Sequence, residues 1–181
     1  MPVYYPSSSS GSSGAMVKIA AVDLGADTAT IDFTSIPGTY RDLHIVFQGR
    51  TTESAVDAFF YVQFNGDTGS NYWDQYVYYV NTAITINEDE AATKGRVGLV
   101  TGATGRTNGA GVAIMDIPFY AGTTFEKTLR LNIAEMYSTG NLVVGMFAVR
   151  WGSTAAITSI TFLLATGNFL AGSQATLYGL T

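Results

Sequence analysis

The chain has 181 residues, no cysteine, 13% charged residues and a formal net charge of −5, which is long enough for one domain with a sizeable core and leaves no disulfide or thiolate chemistry. Hydrophobic residues make up 47%, with 11 tyrosines and 10 phenylalanines, and that composition excludes a disordered chain. Lys and Arg number 9 against 14 Asp and Glu, so nucleic acid has no basic footprint to bind, and no apolar run approaches the roughly 20 residues of a membrane helix.

Residues 1–15, MPVYYPSSSSGSSGA, lack the basic start and apolar stretch of a secretory signal. Residues 7–14 have the Ser/Gly composition of a flexible linker. Ahead of them Val3, Tyr4, Tyr5 and Pro6 offer buriable aromatic area on a backbone that proline holds extended. The expectation is an extended N-terminal arm whose Val3, Tyr4, Tyr5 and Pro6 bind a partner, with an arm folded back on its own domain as the alternative. From Met16 the dominant period is two. Val17, Ile19 and Ala21 alternate with Lys18 and Ala20, Ile31 and Phe33 flank Asp32, and Leu43, Ile45 and Phe47 alternate with Arg41 or Asp42, His44 and Gln48, the signature of half-buried strands.

The same reading extends to 58–64, 72–80, 83–87, 96–100, 112–119, 127–137, 141–151, 157–164 and 174–180. Turn residues separate these runs at Ile36-Pro37-Gly38, Asn65-Gly66-Asp67, Thr107-Asn108-Gly109, Ala121-Gly122, Thr139-Gly140-Asn141 and Gly167-Asn168. Asn65-Gly66 suits a tight hairpin. In 70–83, Trp73, Val77, Val80 and Ile84 also fit a helical spacing, but the Tyr and Val content favours strand. Many short strands with short loops predict a single all-β domain over 16–181, an antiparallel β-sandwich that is jelly-roll-like.

Chemistry is hard to find. His44 sits on the strand face opposite Leu43, Ile45 and Phe47, and no G-x-S-x-G elbow accompanies it. The segment 102–111, GATGRTNGAG, lacks the lysine of a phosphate loop and reads as a hairpin loop joining 97–100 to 112–117. Asp23, Asp27 and Asp32 have the wrong spacing for a calcium loop, and Glu88-Asp89-Glu90 reads as a solvated loop tip; a surface divalent ion at either cluster stays open. No acid pair, nucleophile or cofactor site is nominated. The densest signal is aromatic: Tyr72, Trp73, Tyr76, Tyr78 and Tyr79 fall within eight residues, with Tyr76 and Tyr78 on one strand face and Trp73 and Tyr79 on the other. One such face is core, and the other is a Tyr-rich stripe for a subunit or sugar interface, unless both faces are buried between sheets.

Three motifs carry a likeness. They are Phe33-Thr34-Ser35-Ile36-Pro37 with Tyr40-Arg41-Asp42-Leu43 and Gly49-Arg50; Phe64-Asn65-Gly66-Asp67 with Gly69-Ser70-Asn71-Tyr72; and Asn168-Phe169, Ala171-Gly172-Ser173, Leu177-Tyr178-Gly179. On these the chain resembles the small β-sandwich structural proteins and terminal β modules of tailed bacteriophage virions. The resemblance covers most of 17–181 and leaves out the arm. It implies a non-enzymatic virion component assembled in the host cytoplasm, used either as capsid decoration (cement) against the major capsid protein or as a tail fibre, spike or receptor- and glycan-binding module, and it implies a homotrimer. Physically the motifs look structural: Tyr178 is expected to close the last strand against the core, and Gly172 and Gly179 to permit close backbone approach.

Overall fold

A computed structural model of the chain describes residues 15–138 and 140–181. Val3, Tyr4, Tyr5, Pro6 and the rest of the expected arm lie outside the described residues. Within them the chain forms twelve strands and no helix: β1 (Met16–Asp23), β2 (Thr30–Phe33), β3 (Asp42–Gly49), β4 (Asp57–Phe64), β5 (Tyr72–Val80), β6 (Ala83–Ala92), β7 (Gly95–Thr101), β8 (Gly111–Pro118), β9 (Lys127–Ser138), β10 (Asn141–Trp151), β11 (Ile160–Leu164) and β12 (Gln174–Leu180). They pair into two antiparallel sheets, one ordered β1-β12-β3-β8-β9-β10-β5-β6 and the other β2-β11-β4-β7. The protein is an all-β sandwich.

Period-two patterning decides which side chains enter the core. In β9, Leu129, Leu131 and Ile133 are buried while Arg130, Asn132 and Ala134 face out, as an antiparallel strand with one solvated face requires. Between the sheets Phe47 stacks on Phe60 at 4.6 Å, and Phe162 and Phe169 pack around the pair. Each such ring contributes roughly 1.5–3 kcal/mol by leaving water. The four-stranded sheet does not reach across all eight strands, and at its edge Phe59 of β4 packs on Tyr76 and Tyr78 of β5. Arg96 joins the two layers at this edge: its guanidinium lies near the rings of Phe59 and Tyr76 and bonds Asp74 at 3.2 Å and Asp89 at 2.8 Å.

Several expectations are corrected. Asn65 and Gly66 do adopt the positive φ values of a tight turn, 53° and 68°, and the Asp67 amide donates to the Phe64 carbonyl at 2.9 Å. The turn is not a hairpin, because β4 and β5 belong to different sheets. The glycine-rich segment likewise carries the chain from β7 in the small sheet to β8 in the large one. Its carbonyls at Gly102, Arg106 and Gly109 accept from the Arg50 guanidinium, the opposite polarity to a phosphate cradle. Glu88, Asp89 and Glu90 are part of strand β6 rather than a loop tip. Leu177, not Tyr178, faces the core from β12; Tyr178 lies on the outer face, its ring 6.3 Å from that of His44.

The three motifs prove to be joints between elements. Tyr40 packs over Gly179 so closely that a Cβ there would stand 2.2 Å from the ring. Asp67 accepts from the Trp151 indole at 2.7 Å and from Asn71, and these bonds, the indole first, hold its carboxyl below the usual range. The Ser173 hydroxyl accepts from the Arg50 amide, and the Ala171 amide donates to Asp27.

Candidate interaction surface

The eight-stranded sheet has an outer face that no part of the described chain covers. The strand registers arrange its side chains in rows. One row runs Val46, Ile114, Asn132, Met146, Val77 and Ile86 from β3 to β6. The adjacent row runs Val112, Ala134, Val144, Tyr79 and Ile84, and Met136 with Leu142 begins a third. Met146 is 63% exposed and Ile86 72%, with Leu142, Ile84, Val144 and Ile114 also open to solvent. From strand and residue spacings the longer row spans about 24 Å across the strands and the adjacent row about 19 Å, and the three rows span about 14 Å along them. That is on the order of 300 Å² in projection, the size of the largest apolar patch on an ordinary monomer, which is often functional.

A polar row borders the band. Here His44, Asp116, Arg130, Ala148, Gln75 and Glu88 lie in register. The Asp116 carboxylate contacts His44 Nδ1 at 2.8 Å and Arg130 at 3.4 Å. A shallow depression of about 420 Å³ straddles the border, with Met146, Val77 and Ile86 on one side and Arg130, Gln75 and Asp116 on the other. An apolar centre with a charged, mutually paired rim is the anatomy of a protein interface.

The aromatic cluster divides between core and surface. Tyr72 and Tyr76 are buried in the sandwich: the Tyr72 hydroxyl donates to the Asp67 carbonyl and accepts from the Phe64 amide, and burial pushes its pKa up to about 12. Tyr78 faces inward beside Tyr76 and Phe59. Their area is used within the subunit, which removes Tyr72, Tyr76 and Tyr78 from any outer stripe. Trp73 and Tyr79 remain on the outer face. Tyr79 belongs to the apolar band, and Trp73 lies in a polar hollow with Gln75, Glu88 and Glu90, with the Arg150 guanidinium 4.1 Å from its ring centre.

Titratable groups give little sign of catalysis. Among the described residues no group of three or more His, Asp or Glu side chains is placed to hold a metal ion. His44 meets the Asp116 carboxylate and the Tyr178 ring. Among the described residues the one strongly perturbed carboxyl is that of Glu135 on β9, only 1% exposed, with neither carboxyl oxygen hydrogen-bonded. Burial first, and then the charge of Asp57, pushes its pKa up to about 8. Such values often mark active sites, but this carboxyl is sealed between the sheets and no substrate reaches it.

The band was missed in the sequence although a signal was present. Strand β10 reads NLVVGMFAVRW, apolar at Val143, Phe147 and Val149 on one face and at Leu142, Val144, Met146 and Ala148 on the other. A strand apolar on both faces in a two-layer antiparallel fold needs a second partner layer. The sequence matches no protein-family model, and no curated protein is similar enough to count as a relative.

Proposed function

We propose that this chain is a non-enzymatic bacteriophage virion structural protein, a capsid decoration or cement protein that assembles as a homotrimer and binds the major capsid protein. The observation that carries the reading is the apolar band on the outer face of the large sheet. Copies of the chain related by cyclic symmetry can cover it.

The strand order supports the same class. With the β5-β6 and β9-β10 hairpins set aside, the sheets read β1-β12-β3-β8 and β2-β11-β4-β7. Strands then pair in nested fashion, β1 with β12, β2 with β11, β3 with β8 and β4 with β7. That nesting supports a jelly-roll reading, an architecture common among viral shell proteins. The two inserted hairpins widen one sheet to eight strands, and most of the band lies on them. The weakly charged surface lets many copies pack side by side without like-charge repulsion, and Val3, Tyr4, Tyr5 and Pro6 supply a tether.

A second reading, a tail fibre or spike module that binds a receptor glycan, draws on Trp73 in its hollow with Gln75, Glu88 and Glu90. Arg150 occupies one face of that ring, which leaves less stacking surface for a sugar. The separating experiment adds purified protein to heads that lack it and scores copies bound per particle and resistance to heat or chelator, alongside a glycan array. Hundreds of copies with stabilised heads support decoration; a few tens of copies with glycan binding abolished by Trp73→Ala support the fibre reading.

A further inference from the structure

We propose that residues 83–87 of β6 form a self-recognition edge, on which the same segment of a second copy adds antiparallel across a two-fold axis through Thr85. The contact is independent of the virion reading. Strand β6 ends the eight-stranded sheet, and among the described residues only β5 pairs with it. Its sequence, AITINEDEAA, divides in two. Residues 88–92 carry what blunts an open edge: the acids Glu88, Asp89 and Glu90, and a break in register where Ala91 takes a φ of 51°. Residues 83–87 carry neither device. They are uncharged, with Ile84 58% and Ile86 72% exposed, and an uncharged edge with β-branched side chains is a template for another strand.

The backbone sets what can pair there. Val80 pairs with Ala83 across the two-residue turn Asn81-Thr82, and a turn of that length closes on a hydrogen-bonded pair. Bonded and non-bonded pairs alternate along an antiparallel ladder. Ala83, Thr85 and Asn87 therefore direct their N–H and C=O groups to β5, while Ile84, Ile86 and Glu88 turn theirs outward. The Glu88 amide already donates to the Asn87 side-chain oxygen at 2.9 Å, which leaves Ile84 and Ile86 to bond an incoming strand.

The occupant follows from the placement of charge. With Thr85 facing Thr85 of the second copy, each Ile84 faces an Ile86 and exchanges both backbone bonds with it, and Ala83 faces Asn87. Ile84 and Ile86 lie opposite Tyr79 and Val77 on the outer face, so the two apolar bands meet isoleucine to isoleucine, and threonine meets threonine on the other side, both favourable cross-strand pairs. Glu88 then faces Thr82 of the turn. The two Glu88 residues stand six residue spacings or about 20 Å apart, well beyond the screening length of about 8 Å at physiological salt. Other registers do worse: an axis at Ile84 sets Ile86 against the turn, one at Ile86 sets Glu88 against Ile84, and one at Glu88 sets the acids against each other. The segment is complementary to itself, which selects a second copy as partner. So short a contact buries less than the roughly 1,200 Å² of a stable interface, so it is transient between free chains and lasts where other contacts hold copies together.

The absence of native cysteine makes Thr85→Cys the sole thiol of the full-length chain. On the axis the two residues form a non-hydrogen-bonded pair with Cα atoms about 4.5 Å apart, within disulfide reach, whereas two Ala83 positions stand about 14 Å apart, outside it. In a glutathione redox buffer Thr85→Cys should form disulfide-linked dimer at least ten times faster than Ala83→Cys at the same concentration, each rate scaled by the alkylation rate of its thiol. Adding Ile86→Lys to Thr85→Cys should slow the cross-link several-fold, with an unchanged β-sheet spectrum as the check on folding. The ratio of the two cysteine variants should persist when Met146→Glu and Val144→Glu are added to both, which separates this contact from the assembly proposed for the band. Equal rates for the two cysteine variants, a cross-link indifferent to Ile86→Lys, or a ratio lost with the band substitutions would each overturn the inference.

Discussion

Replacing Glu135 by glutamine should flatten the pH dependence of stability. In the folded protein burial and Asp57 push this carboxyl up to about 8 from an ordinary 4.5. Between those values the folded chain keeps a proton that the unfolded chain has lost, so stability falls as pH rises from 4.5 toward 8 and levels off on either side. One pKa unit corresponds to about 1.4 kcal/mol, so the group removes on the order of 3 kcal/mol between about pH 5 and pH 7.5. The amide carries its own burial cost, but glutamine does not titrate, and that cost cancels when the variant is compared with itself across pH. Urea unfolding of both proteins at fixed concentration across this interval gives the difference directly. Wild-type stability should drop relative to Glu135→Gln by a few kcal/mol as pH rises. A difference between the two proteins that is constant with pH would refute the reasoning, as would a Glu135 carboxyl resonance titrating near 4.5.

Placing a charge in the band, as in Met146→Glu with Val144→Glu, should leave the fold intact and convert the assembly to monomer by light scattering. Asp74→Ala should destabilise the protein by about 1–3 kcal/mol in chemical denaturation, because the Arg96 amide and guanidinium each lose a carboxylate acceptor while the ion pair to Asp89 remains. Gly179→Ala should lower Tm by many degrees, because the added methyl meets the Tyr40 ring, and Gly179→Ala with Tyr40→Ala should recover part of the loss. Deleting residues 1–14 should change Tm of the domain little while weakening its attachment to a particle; a large fall in Tm with unchanged attachment contradicts the tether.

The strands were legible in the sequence and the sheets were not. Alternation such as Leu129, Leu131, Ile133 is a local property that the pleat imposes, so all twelve strands have counterparts in the period-two pattern. Sheet membership depends on pairings between chain ends, β1 with β12 and β2 with β11, which no local pattern encodes. That is why Asn65-Gly66 and the 102–111 glycines looked like hairpin loops: a tight turn is the same object whether the chain then pairs with its neighbour or crosses to the other layer. The functional surface was half legible. Ring size drew attention to Tyr72 and Tyr76, yet rings of that size are also what a sandwich core needs. The aliphatic rows through Ile114, Met146 and Ile86 become a surface only when five strands are set in register.

A reconstruction of intact virions carrying this chain, at a resolution that separates strands, tests the central proposal most directly. The account predicts sandwich density in many symmetric copies on the outside of the head, with the outer faces of the eight-stranded sheets turned toward one another and Met146, Val144 and Ile86 buried between copies. Density in a few copies at the tail tip, or copies whose apolar band faces open solvent, would contradict it.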